Sequence, residues 1–313
     1  KKWNEVSNLS DIDLANKIRK EKINILIDLA GHSYGNRLGA FAYKPAPVQL
    51  SWIGYLETTG LSEIDYIVAD PHVVSKKNED VYSEKIWRMP TVWNSLSKPN
   101  VEKIGELPAL KNKYITFGSF NNINKVNSKV FNTWSNILKA VSNSKIFFKY
   151  VNFDNPYFIE LIEQNFLKYG IKKEQIIIEG ATKREDHLKS FNKIDISLDT
   201  FPYSGGTTSF ESIWMGVPIL TLKGEKFISN CGNSINHNLH MKDWIASSTE
   251  EYELKAIKFA KNIENLKSIR HKLRKKCLDS TLFDGKKFAN DFNSSLLSMW
   301  QNFINKKSKV DNE

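Results

Sequence analysis

The sequence predicts an α/β protein built on a doubly wound parallel sheet. Strand-like and helix-like segments alternate strictly from Tyr114 to Leu222, and the connections between them are short. The strand candidates are apolar runs bounded by Gly, Asp or Pro, as expected of strands covered on both faces.

The elements follow in order. Asp11–Lys20 carries Ile12, Leu14, Ala15 and Ile18 on one helical face, with Ser10 or Asp11 as cap. The run Ile23–Ala30 is a β-branched strand ending at Gly31, and Val48–Ile53 and Tyr66–Ala69 are two further strands. Periodicity is then lost over Ser95–Lys113, which holds Pro99, Gly105 and Pro108 and reads as a linker. Beyond it come a strand at Tyr114–Phe120 and a helix at Lys129–Val141 with Val130, Phe131, Trp134, Ile137, Leu138 and Val141 on one face. Strands at Lys145–Val151, Gln175–Glu179, Ile194–Leu198 and Val217–Leu222 alternate with helices at Pro156–Tyr169, Glu185–Asn192 and Thr208–Gly216. Glu250–Phe259, Leu266–Cys277 and Lys286–Phe303 read as helices, and Asn305–Glu313 as a polar tail.

The 313 residues are 41% hydrophobic and 26% charged, which excludes a fibrous or disordered chain. No segment approaches the roughly 20 apolar residues of a membrane helix, and no secretory leader is visible. Two cysteines, Cys231 and Cys277, cannot build a disulfide framework, so a cytoplasmic protein without membrane association is expected. The net charge of +10 raises the question of nucleic acid. Only six of the 45 basic residues are arginines, however, and the lysines are spread along the chain beside many asparagines, so no nucleic-acid partner is expected.

Ligands of an open parallel sheet bind outside the carboxyl ends of its strands. After Ile194–Leu198 the chain reads Asp199-Thr200-Phe201-Pro202-Tyr203-Ser204-Gly205-Gly206-Thr207-Thr208 and enters an apolar helix. Paired glycines let the backbone approach a ligand, and free amides at a helix start form an anion site suited to a diphosphate. After Tyr114–Phe120, Asn121-Asn122-Ile123-Asn124-Lys125 places one lysine among amides, where it either neutralises a phosphate leaving group or merely forms a polar turn. After Gln175–Glu179, Lys183 and His187 lie four apart on one helix face, the histidine being either a nucleotide contact or a surface cap. In the N-terminal part, Arg37 either grips an anion or pairs with a carboxylate, and His32 is either an acid/base group or a satisfied structural histidine. No G-x-G-x-x-G turn, Walker loop, G-x-S-x-G elbow or C-x-x-C pair is present, and His237 and His240 have no third ligand beside them, so no metal site is expected.

Three runs then carry a resemblance: INILIDLAGHSYGNRLGAFAYKPAPVQLSWIGYLETTGL (23–61), FGSFNNINKV (117–126) and DISLDTFPYSGGTTSFESIWMGVPILTL (195–222). They resemble the catalytic region of the O-GlcNAc transferases and the SPINDLY family, and the likeness spans nearly all of residues 10–300. The resemblance implies a GT-B fold of two Rossmann-like domains and an inverting, metal-independent transfer without cofactor. The donor it implies is a UDP-sugar, usually UDP-GlcNAc, and the acceptor a protein Ser or Thr hydroxyl. Tetratricopeptide repeats are implied upstream in the full-length chain. The same scaffold also serves GDP-fucose or UDP-hexose transfer, and a non-catalytic nucleotide-binding module is a further alternative.

Carried over by position, the resemblance makes Lys125 the lysine that steadies the departing diphosphate and places Asn121 and Asn122 beside the nucleotide. His187 packs on the base, Thr207 and Thr208 follow Gly205 and Gly206 at the diphosphate, and Glu211 stands where animal enzymes use Asp on the ribose. Lys183 belongs to the nucleotide site, while Ile53, Gly54, Arg37 and His32 line the sugar pocket. The sequence departs from the family pattern at Gly206, at Leu56-Glu57 and at Asn230. The expected organisation is therefore the C-terminal part of the N-terminal lobe (1–95), a linker (96–112), a complete nucleotide-sugar-binding domain (113–280), a closing helix (281–305) and a polar tail (306–313).

Overall fold

The computed structural model describes residues 2–101 and 103–310. The chain divides into two compact units: residues up to Asn94 together with those from Lys286 onward, and Ser95–Gly285. In the first unit, α1 (Asp11–Lys20) precedes β1 (Ile25–Asp28), α2 (Leu38–Ala42), β2 (Val48–Ser51), β3 (Tyr66–Ala69) and β4 (Lys85–Arg88). The Ser10 hydroxyl accepts the Asp13 amide and starts α1 where the sequence places it. The four strands pair in chain order, all parallel. Val48, Leu50, Val68 and Met89 form a core closed by Met299 of the C-terminal helix, and Trp52 stacks on Phe288 and Phe292 of that helix.

The second unit begins with α3 (Pro108–Asn112). It continues through β5 (Thr116–Ser119), α4 (Ser128–Ala140), β6 (Lys145–Lys149), α5 (Pro156–Lys168), β7 (Ile176–Glu179), α6 (Arg184–Ser190), β8 (Ile196–Leu198), α7 (Thr207–Trp214) and β9 (Ile219–Leu222). The remaining elements are α8 (Cys231–Asn238), β10 (Ile245–Ala246), α9 (Thr249–Ala260) and α10 (Ile263–Asp279), after which α11 (Gly285–Val310) returns to the first unit. The sheet order is β10-β9-β8-β5-β6-β7, every pair parallel. Winding runs outward in one direction from β5 and in the other from β8, so the switch point lies between these two strands. This is the doubly wound α/β sheet that the alternation predicts.

Two expectations of organisation change. The linker 96–112 contains α3 and packs into the second unit, because buried Asp195 accepts the amides of Ala109 at 2.9 Å and Thr116 at 2.8 Å. Glu102 lies outside the described residues. The closing helix starts at Gly285 rather than 281 and continues through Val310, across most of the expected tail 306–313, of which 311–313 lie outside the described residues. The polar composition there marks an exposed helical stretch rather than the end of the helix.

Candidate functional site at the switch point

The loops leaving β5 and β8 are stitched together. Asn121 is buried, and its Oδ1 accepts the Thr208 hydroxyl at 2.9 Å. Asn122 caps the turn Ile123–Lys125 by accepting the Asn124 amide at 3.0 Å. That turn swings Lys125 over the β8 loop, where its Nζ donates to the Ser204 carbonyl at 3.1 Å and lies 3.7 Å from the centroid of the Tyr203 ring. Burial lowers the Lys125 pKa, against the charges of Asp199 and then Cys231, which raise it.

The β8 loop is pinned from below by Asp199. Its carboxylate accepts the Gly205 amide at 2.7 Å and the Thr221 hydroxyl at 2.8 Å. Burial pushes the Asp199 pKa up to about 6, against those two hydrogen bonds and the Lys125 charge. Gly205 leaves this corner tight: a Cβ would fall 2.4 Å from Ser209 Oγ and 3.0 Å from Asn121 Oδ1, and those side chains would have to shift. At Gly206 the backbone is open, and α7 then starts at Thr207, so the first-turn amides of Thr207 and Thr208 have no acceptor within the helix. Backbone donors, two hydroxyls and one ammonium thus converge on the carboxyl edge at the switch point, an arrangement that suits a diphosphate.

One turn further along α7, Glu211 is buried. Arg184 reaches its Oε1 at 2.5 Å and His187 Nε2 lies 3.4 Å from its Oε2. The His187 ring also sits edge-on to Phe120 at 5.5 Å, against the stacked Phe120–Phe191 pair. His187 and Glu211 are therefore brought together, while Lys183 is exposed at the N-cap of α6. Sequence reasoning missed Arg184 and Asp199. Arg184 lies three residues before His187, on its helix face, and Asp199 is a lone acid ending an apolar strand.

In the first unit the loops after β1 and β2 interlock. Ile53 has φ +66° in a tight turn that Gly54 closes by donating to the Trp52 carbonyl at 2.8 Å, a strained backbone for a β-branched residue. His32 Nε2 lies 2.8 Å from the Thr59 carbonyl, so in the neutral ring Nε2 carries the proton and Nδ1 is the basic nitrogen. Arg37 is not an anion grip. Its Nε pairs with Asp11 at 2.9 Å, and its two terminal nitrogens donate to the Val6 and Leu9 carbonyls, so the guanidinium fixes the N-terminal segment instead. Among the described residues no helix is long and apolar enough to cross a membrane.

Fold and site together define a doubly wound α/β protein with an anion-ready helix start at its switch point. The description "Glycosyl transferase family 41" matches residues 3–95 and 105–292, and the chain belongs to this family. It is 35% identical over 307 residues to a protein of Eustoma exaltatum subsp. russellianum named a probable UDP-N-acetylglucosamine–peptide N-acetylglucosaminyltransferase SPINDLY, covering 96% of this chain and 33% of that protein. To the Arabidopsis thaliana protein named with the same activity and the suffix SEC it is 33% identical, over 95% of this chain and 31% of that one. Among solved structures, a lysine-to-methionine mutant of the Thermobaculum terrenum O-GlcNAc transferase superposes with a TM-score of 0.92 at 29% identity, covering 97% of this chain and 58% of that one. Anabaena HepE in complex with UDP and glucose shares the fold, with a TM-score of 0.61 at 9% identity over 93% of this chain and 83% of that one. The fold is accordingly GT-B, and the chain spans about a third of the length of the curated relatives it matches.

Proposed function

We propose that the chain is the C-terminal part of the catalytic region of a protein O-GlcNAc transferase of the SPINDLY and SEC type. It moves a sugar, GlcNAc, from UDP-GlcNAc onto protein Ser or Thr hydroxyls with inversion and without a metal. The observation that carries this reading is the Lys125 ammonium, held by the Ser204 carbonyl and the Tyr203 ring beside the open start of α7. As the glycosidic bond breaks, negative charge grows on the leaving diphosphate, and a preorganised cation with helix-start amides stabilises it where it forms. Asn121, Asn122, Gly205, Gly206, Thr207 and Thr208 line this diphosphate. His187 and Glu211 hold the nucleoside, with Lys183 at its margin. In the first unit, sugar contact is assigned to His32 and the Ile53–Gly54 turn, and Arg37 only braces that lobe. The membership of family 41 and the names of the relatives support the donor and acceptor classes.

The test is turnover of UDP-GlcNAc by the full-length protein with a Ser/Thr acceptor peptide. Lys125→Ala is expected to lower kcat at least a hundredfold, the order of one lost charge-stabilising donor. Unchanged turnover in that variant removes Lys125 from the chemistry. Calorimetric preference for GDP over UDP overturns the GlcNAc assignment, and nucleotide binding without turnover by the wild type leaves a binding module.

A further inference from the structure

Asp199 is 1% exposed and lies beneath the β8 loop. The Gly205 nitrogen that donates to its Oδ1 at 2.7 Å and the Ser204 carbonyl that accepts from Lys125 at 3.1 Å belong to the same peptide unit. That peptide is not cis, so its N–H and C=O point to opposite sides. A carboxylate and an ammonium thus hold one planar, polarisable group from its two ends. The backbone of α8 closes the other side: a Cβ on Gly232 would lie 2.6 Å from Asp199 Oδ2 and 2.4 Å from Thr221 Oγ1. No ligand reaches this carboxylate directly.

We propose that Asp199 is a positioning residue for the departing diphosphate, fixing the place and the charge of the Lys125 ammonium through the Ser204–Gly205 peptide. The assignment rests on the reading of Lys125 given above. The groups facing the pair are few. Cys231 at the start of α8 adds to the Asp199 effect on Lys125, and the Tyr252 phenol of α9 donates to the Asp199 main-chain carbonyl at 3.0 Å. Burial opposes ionisation of Asp199, so its charge at neutral pH works against folding. An asparagine would keep the Gly205 bond on its Oδ1 and reverse the other, its amide donating to the Thr221 hydroxyl, without the cost of a buried charge. A charge kept at the expense of stability points to the site rather than to the scaffold.

The experiment compares the wild type, Asp199→Asn and Thr221→Val in the full-length protein. It reads UDP-GlcNAc hydrolysis across pH, alongside the thermal midpoint at pH 7.5. Asp199→Asn is expected to raise the midpoint, to lower kcat/KM for UDP-GlcNAc at least tenfold, and to move the alkaline limb, set by Lys125 deprotonation, to lower pH. Thr221→Val loses one buried hydrogen bond but keeps the charge, so it lowers the midpoint and leaves the limb in place. An Asp199→Asn profile with an unmoved limb, or activity and midpoint falling together, overturns the assignment while the reading of the site stands. A wild type that turns over neither UDP-GlcNAc nor GDP-fucose overturns that reading and this assignment with it.

Discussion

Gly54 stands so close to Leu29 that a Cβ would come to 1.6 Å from the Leu29 carbonyl oxygen. Here the loop after β1 meets the loop after β2 backbone to backbone, and at Gly31 a Cβ would meet the Tyr55 side chain at 2.2 Å. Asp28 anchors the contact by accepting the Ala30 and Gly31 amides. No rotamer relieves a clash with a carbonyl. Gly54→Ala is therefore expected to cost more than about 3 kcal/mol and to lose the fold of the first unit. Gly60→Ala is the control: φ is +75° but nothing lies within 4 Å, so only backbone strain of about 1 kcal/mol is expected. Urea unfolding of both variants measures the difference.

Stability carries a pH signature from two buried acids. Burial pushes both Asp195 and Asp199 up to about 6, from 3.8 in the unfolded chain. Well below pH 4 both states are protonated and well above pH 6 both are ionised. Between these limits the folded state binds more protons, so stability falls as pH rises from about 4 to 6, by a few kcal/mol in all. Exposed acids with lowered pKa values, such as Glu21 and Glu185, act in the opposite sense but are screened by solvent. Denaturant midpoints between pH 4 and 7 test this, and a flat midpoint across the window contradicts it.

What the sequence reveals follows from where each residue's partner lies. The central strands β5, β6 and β8 show as apolar runs because both faces are covered, and the strand-end rule leads directly to Lys125 and to Gly205–Thr208. The edge strand β4, Lys-Ile-Trp-Arg, is half-exposed and offers no such run. Helix α8 buries Asn233, Ser234 and Asn236, so it shows no apolar stripe at all. The partners of Arg37 and Arg184 are hidden for another reason. These acids, Asp11 and Glu211, lie 26 and 27 positions away, and only the fold brings them together.

Arg270 makes the second unit dependent on one guanidinium. It is 1% exposed and donates to the Gly105 carbonyl at 2.7 Å, the Ile194 carbonyl at 3.0 Å and Asn192 Oδ1 at 3.2 Å, tying α10 to the stretch before α3. Arg270→Met takes the guanidinium donor from the Gly105 and Ile194 carbonyls, leaves Asn192 Oδ1 with the Gly105 amide alone, and removes the positive charge facing Asp195, so about 3–5 kcal/mol is expected to be lost. Arg270→Lys recovers little, because an ammonium cannot span the three directions of the fork. Equilibrium unfolding of both variants tests the claim.

On the reading proposed above, the Glu211–His187 pair serves the nucleoside and a separate set of groups serves the diphosphate. Glu211 lies beyond the first turn of α7, on the side of α6, whereas Lys125 meets the loop before that helix. On that reading pyrophosphate needs only the second group, and UDP needs both. Glu211→Gln keeps the volume but weakens acceptance of ribose hydroxyls and releases Arg184, and it is expected to weaken UDP about tenfold, close to 1.4 kcal/mol. Pyrophosphate affinity is expected to change less than twofold in that variant. Lys125→Ala is expected to weaken both ligands, since the lost cation faces the phosphates they share. Calorimetry on the four combinations decides the matter. Equal loss of UDP and pyrophosphate in Glu211→Gln would mean that the carboxylate supports the helix start as a whole and does not contact the nucleoside.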